Sequence, residues 1–171
     1  MKYRVLFAHG SGTGPNGTKI KLLTKVCEKL GFESESIDYS DLDDADERVA
    51  RLLAYPKDPE VRLILVGSSM GGYVSTVAAM SRRDVASIFL MAPALYIKGR
   101  YRVQEYDPNG RVICVVHGTE DDVIPFENSI RFARSVKAEL HLVWQGHRLE
   151  SDLELLGELF ELFLHRTLRT P

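Results

Sequence analysis

The sequence has little that staples, anchors or polarises a chain. Two cysteines in 171 residues, Cys27 and Cys114, are too few for a disulfide framework. They fall on a helical pattern and on an apolar strand, so they read as packed thiols in a reducing, cytoplasmic compartment. No Cys/His spacing matches a metal site, and neither metal nor organic cofactor is expected. No apolar run nears the roughly 20 residues that cross a bilayer. The apolar start around Val5-Leu6-Phe7-Ala8 is cut off by His9-Gly10, too soon for a signal peptide. A net charge of −2, from 22 basic and 24 acidic residues, excludes the basic footprint of a nucleic-acid or anionic-membrane binder. One domain is expected over 1–171, long enough to bury about two-thirds of its unfolded surface unaided.

What is present is alternation. Strands are predicted at Arg4–Ala8, Glu35–Tyr39, Arg62–Val66, Ala86–Met91, Val112–Val116 and Leu140–Trp144. Several are near-continuous Val, Ile, Leu and Phe, as required when helices cover both faces of a parallel sheet. Helical patterns lie between them at Lys19–Leu30, Ala45–Ala54, Gly72–Ser81 and Phe126–Val136, with a last one at Ser151–Leu168. Gly31 suits a helix C-terminus, Pro125 a helix start, and Ser151 with Glu154 a capping box. The fold class is therefore α/β, a doubly wound six-stranded parallel sheet with ligands expected at the carboxyl ends of its strands.

The most informative segment is Gly67-Ser68-Ser69-Met70-Gly71, a G-x-S-x-G box between a buried strand and a helix. A serine on such a turn is lifted out of the sheet, and its flanking glycines let strand and helix backbones approach closely. Such a nucleophile needs a base, an acid and oxyanion donors at the same sheet edge. After Val112–Val116 comes His117-Gly118-Thr119-Glu120-Asp121-Asp122, and after Leu140–Trp144 comes Gln145-Gly146-His147. His147 is the base by elimination. His9 and His117 sit in strand-end His-Gly pairs suited to holding loops, His141 lies within a strand, and His165 ends the last helix. The strand-end loop offers Asp121 or Asp122 as the acid. The first strand ends in His9-Gly10-Ser11-Gly12, whose backbone N–H groups could meet a developing oxyanion.

These boxes, in the order Ser, Asp, His, resemble the α/β-hydrolase superfamily across nearly the whole chain. More narrowly, Gly67-Ser68-Ser69-Met70-Gly71-Gly72-Tyr73 resembles small bacterial serine esterases of the YqiA type. The resemblance implies a core that begins at the third strand of larger members, with strand order 2-1-3-4-5-6, and little lid beyond Ala94 to Gly110. It places the acid on Asp121, the fourth residue after His117, and leaves Asp122 solvated. Oxyanion donors would be the N–H groups of Met70 and Ser11, with Gly12 as substitute for Ser11. The implied activity is hydrolysis of a small-molecule ester or thioester through an acyl-enzyme; the alternative is a non-catalytic binding module that retains the hydrolase fold.

Other features have competing readings. Gly12-Thr13-Gly14-Pro15-Asn16-Gly17, with Asp38 beyond, fits a dinucleotide fingerprint, but Pro15 removes a donor where pyrophosphate would need one. Asp43, Asp44, Asp46 and Glu47 read as the acidic start of a helix. Tyr96, Tyr101 and Tyr106, with Arg100 and Arg102, form either an ordinary connection or a basic, aromatic wall over the site. In the last helix Leu149, Leu153, Leu156, Phe160 and Phe163 form a sheet-facing stripe. Leu155, Leu159 and Leu162 form a second stripe, buried beneath neighbours in a monomer or paired in a homodimer.

Overall fold

The computed structural model describes residues 2–108 and 110–169; Met1, and Asn109 of the 94–110 connection, lie outside the described residues. The elements are β1 (Lys2–Ala8), α1 (Thr18–Leu30), β2 (Glu33–Ile37), α2 (Ala45–Leu53), β3 (Val61–Ser68) and α3 (Met70–Ser81), followed by β4 (Val85–Met91), β5 (Val112–Gly118), α4 (Phe126–Val136), β6 (Glu139–Val143) and α5 (Leu153–Arg169). The strands form one sheet in the order β2-β1-β3-β4-β5-β6, parallel at every pairing, as expected.

The near-continuous apolar runs follow from burial on both faces. Successive side chains of a strand point to opposite sides. Val5, Phe7, Ile64, Val66, Phe89 and Val116 pack with Ile20 and Leu23 of α1 and with Leu156, Phe160 and Phe163 of α5. Leu6, Leu63, Leu65, Ile88, Leu90 and Val115 pack instead with Val49 and Leu52 of α2, Tyr73 and Val74 of α3, and Phe132 of α4. Phe160 anchors the first layer, its ring centroid 5.1 Å from Phe89 and 6.2 Å from Phe163. Truncating it to Ala would cost about 3–5 kcal/mol.

The sheet edges depart from the sequence reading. β2 runs over Glu33–Ile37 rather than Glu35–Tyr39, because its register is set by β1, Arg4 opposite Glu33 and Ala8 opposite Ile37. Tyr39 has left the ladder, and its N–H donates to His9 Nε2 at 3.0 Å. β6 ends one residue early, leaving Trp144 85% exposed. The predicted Ser151/Glu154 capping box is replaced. Ser151 donates its hydroxyl to Gln145 Oε1 at 2.9 Å, and Asp152 Oδ1 accepts the Leu155 N–H at 3.0 Å. At α2 the expected acidic start is met by Asp44, whose Oδ1 accepts the N–H groups of Asp46 and Glu47 at 2.8 and 2.9 Å. Asp46 is not simply solvated, since it also accepts the Tyr73 hydroxyl at 2.8 Å. Gly31 ends α1 in the left-handed region, as its position requires. Of the two α5 stripes, Leu156, Phe160 and Phe163 are buried, Leu153, Leu155 and Leu159 half-buried, and Leu162 exposed.

Candidate active site

Parallel strands end at a common edge, and β1, β3, β5 and β6 deliver the predicted residues there. Ser69 follows β3 with φ +53° and ψ −117°, a backbone state that a residue with a Cβ adopts only under strain. The turn is held from both sides: Ser69 N–H donates to Met91 O, and the Ala94 N–H to Ser69 O, each at 3.0 Å. The glycine requirement is steric. A Cβ on Gly67 would overlap the Gly71 carbonyl, and one on Gly71 would overlap the Ala8 carbonyl. Met70 is the first residue of α3, so its N–H lacks an intrahelical acceptor.

His147 Nε2 lies 3.1 Å from Ser69 Oγ, and His147 Nδ1 lies 2.7 Å from Asp121 Oδ2. The Asp121 carboxylate is buried, its other oxygen accepting the N–H groups of Val123 and Ile124 at 2.9 and 2.8 Å. Burial opposes its ionisation. The N–H of Ile124, the His147 ring and the N–H of Val123 outweigh that penalty, and the carboxyl ends below its ordinary range. Asp122 is exposed on the same loop. The structure thus brings Ser69, His147 and Asp121 together and leaves Asp122 outside the array.

The first loop packs against the serine turn: a Cβ on Gly10 would stand 3.3 Å from Ser68 O and 3.4 Å from Ser69 Cβ. His9 fixes this loop, with Nδ1–H donating to Gly10 O at 2.8 Å and Nε2 accepting from Tyr39 N–H. The second contact makes Nε2 the acceptor, so the proton sits on Nδ1. Burial lowers the His9 pKa from its ordinary value. Ser11 is exposed on the turn, and Gly12 and Gly14 take φ of +76° and +69°. The glycines of the dinucleotide-like string therefore shape the loop beside Ser69.

A cavity of about 200 Å³ opens between this loop and the His147 loop. Phe7, Ile20, Val66 and Met91 form its apolar wall, with Ser68 on the side of the serine turn. Its charged rim comes from Lys19, Arg148 and Glu150, the last two paired at 3.4 Å, and not from Arg100 and Arg102. Arg100 lies over the Tyr101 ring, and Arg102 points to Asp46 at 3.8 Å. Lys19 Nζ donates to the Arg148 carbonyl at 2.6 Å, tying the start of α1 to the His147 loop, and burial lowers its pKa. The 94–110 connection is anchored by stacking of Tyr101 on Tyr73 at 4.4 Å and by an edge contact of Tyr106 with Phe132 at 6.0 Å. It is the ordinary connection of the two readings.

Two features escape a reading of the sequence. Gly118, at the end of β5, is pressed against the next loop, where a Cβ would overlap the Gln145 carbonyl. His117 is expected to hold an adjacent loop, and it does so through Asp121 itself, Nε2 to Oδ2 at 3.0 Å. The i,i+4 spacing of the two is the available signal. Among the described residues no helix is long and apolar enough to cross a membrane.

No protein-family model matches the chain. It is 24% identical over 189 residues to mouse alpha/beta hydrolase domain-containing protein 17C, a match that takes in 94% of this chain and 58% of that protein. The chain thus spans less than two-thirds of the length of that curated relative. A solved structure from Xanthomonas campestris pv. campestris, assigned to the alpha/beta hydrolase superfamily, superposes with a TM-score of 0.85 at 29% identity, covering 97% of this chain and 99% of that one. Est1E from Butyrivibrio proteoclasticus superposes with a TM-score of 0.83 at 18% identity, covering 99% and 89%, and shows likeness of fold. With sheet order, serine turn and sequence likeness in agreement, the chain has the α/β-hydrolase fold and is similar in sequence to members of that superfamily.

Proposed function

We propose that this protein is a serine esterase that cleaves a small carboxylic ester or thioester through an acyl-enzyme. The observation that carries the reading is the continuous hydrogen-bonded path from Asp121 through His147 to Ser69, at 2.7 and 3.1 Å. Ser69 Oγ attacks the acyl carbon while His147 Nε2 takes its proton. Asp121 holds the ring with Nδ1 protonated and stabilises the imidazolium that forms. The N–H groups of Met70 and Ser11 receive the oxyanion, each such donor contributing on the order of 3 kcal/mol in the transition state. His147 then protonates the leaving alkoxide or thiolate. Water, activated by the same ring, releases the acid. The scheme uses no metal or organic cofactor.

The cavity next to the serine turn, which Ser68 and Gly10 line, supports a short acyl group. Its volume of about 200 Å³ is below the roughly 300–1,000 Å³ of sites that enclose drug-sized ligands. Est1E, seen in another structure with ferulic acid bound, is an instance of this fold holding a small carboxylic acid.

A fluorophosphonate probe together with a panel of p-nitrophenyl esters and acyl thioesters of graded length tests the reading. A covalent adduct and a turnover that both vanish in Ser69→Ala are expected, with preference for short chains. Equal hydrolysis by wild type and Ser69→Ala would overturn it.

A further inference from the structure

Asp121 Oδ2 is shared by two imidazoles, His147 Nδ1 at 2.7 Å and His117 Nε2 at 3.0 Å. The His117 ring is fully buried at the end of β5. Its Nε2 also faces the Ile124 carbonyl at 3.1 Å, and its Nδ1 faces the Ser129 hydroxyl of α4 at 2.7 Å. A carbonyl has no proton to give and a hydroxyl has one. The proton of a neutral ring therefore sits on Nε2, and Nδ1 accepts from Ser129. Burial favours that neutral form and lowers the His117 pKa, although Asp121 and Ile124 pull the other way.

We propose that His117 is a positioning residue of the reaction, a neutral Nε2–H donor that shares Asp121 Oδ2 with His147 and sets how strongly the carboxylate holds the His147 imidazolium. The proposal rests on the serine-esterase reading. The two N–H groups on Oδ1 fix one end of the carboxylate. His117 fixes the other, so Oδ2 meets His147 in one orientation. It also draws off part of the negative charge on Oδ2. A carboxylate that served His147 alone would bind the imidazolium more tightly and release its proton to the leaving group less readily. The ionisable groups acting on the cluster are His147, Asp121 itself and, from α1, Lys19, while α4 contributes the neutral Ser129 hydroxyl. All of these residues are kept when His117 is replaced, so a moved acid limb reports the loss of its Nε2–H on Asp121.

Kinetics against pH separate positioning from structural support. His117→Phe keeps the ring volume and loses the donor, whereas His117→Gln places an amide N–H near the position of Nε2. Ser129→Ala leaves the ring in place but removes the hydroxyl that fixes its tautomer. With a p-nitrophenyl ester, His117→Phe is expected to lower kcat about tenfold to a hundredfold with KM little changed, as loss of an outer hydrogen-bond partner does elsewhere. The acid limb of kcat/KM should move to higher pH by up to about one unit. His117→Gln should recover most of both, and Ser129→Ala should shift them in the same direction by less. If His117→Phe fails to fold, Ser129→Ala and His117→Gln carry the test. A folded His117→Phe or Ser129→Ala with the wild-type kcat and profile would overturn the proposal while Ser69-dependent turnover stood. Turnover indifferent to Ser69→Ala would overturn the esterase reading, and the proposal with it.

Discussion

Replacing Asp121 by Asn changes one atom of the carboxylate and tests the array at its most demanding point. Four donors converge on that group: the N–H groups of Val123 and Ile124 on Oδ1, and His147 Nδ1 and His117 Nε2 on Oδ2. An amide offers one oxygen, so either orientation sets two of the four against an NH₂ group. If the amide oxygen keeps the backbone pair, its nitrogen faces His147 and favours the tautomer with the proton on Nε2, which cannot accept from Ser69. Turnover should then fall about 10⁴-fold, as in the best-studied serine hydrolase. In that tautomer His147 Nδ1 accepts from the amide, which leaves the His117 Nε2–H as the one stranded buried donor, so stability should fall by about 1–3 kcal/mol. Asp122→Asn, on an exposed side chain, should stay within about 0.5 kcal/mol and keep most of its activity. Steady-state hydrolysis of a p-nitrophenyl ester gives the first quantity, and urea unfolding gives the second. Comparable activity in the two variants, or greater loss at Asp122, would refute the reasoning.

Other outcomes follow from the same geometry. Ser69→Gly should be inactive yet more stable than Ser69→Ala by about 1 kcal/mol, because glycine relieves the φ of +53° that alanine retains; equal urea midpoints would contradict this. Gly118→Ala should lose about 3 kcal/mol and most of its turnover by displacing the Gln145 carbonyl, two residues before His147, and a wild-type melting temperature would contradict it. His9 and His117 are buried with pKa values below the ordinary 6.5, so below about pH 6.5 the unfolded chain takes up protons that the folded one refuses. Stability present at neutral pH should therefore decline as pH falls, by about 1.4 kcal/mol per unit for each histidine until its folded pKa is reached; urea midpoints unchanged between pH 7.5 and 5.5 would rule that out. Burial pushes the Cys27 and Cys114 thiols up to about 12, so neither should react with a thiol reagent before unfolding, and fast labelling of the native protein would show otherwise.

What could be read from the sequence depends on where the controlling contacts lie. The central strands declare themselves because both faces are buried, so Val61–Ser68 and Val85–Met91 are apolar with little interruption. The edge strand β2, Glu-Ser-Glu-Ser-Ile, carries almost no apolar signal, and its start is decided by pairing with β1. The α5 cap differs from expectation for a related reason. Ser151 and Asp152 are both competent N-caps, and only the distant Gln145 side chain decides between them by occupying Ser151.

The site is more legible than the edges because of the topology. In a parallel sheet every strand ends at the same edge, so the height in the fold of a residue just after a strand follows from its place in the chain alone. Ser69 and His147 are 78 residues apart, yet each needs only its own strand end to bring it within 3.1 Å of the other. Strand-end position says nothing about which neighbours a side chain will share. His117 also stands at a strand end, and by sequence it is one loop-holding histidine of a pair with His9. The difference is where the chain turns back. After β1 the loop carries its own carbonyl to the His9 ring, whereas after β5 the i,i+4 return carries Asp121 to the His117 ring. The same His-Gly step thus steadies a loop in one case and places a second donor on the acid in the other. Pattern locates such residues, and the hydrogen-bond partners on both ring nitrogens assign what each one does.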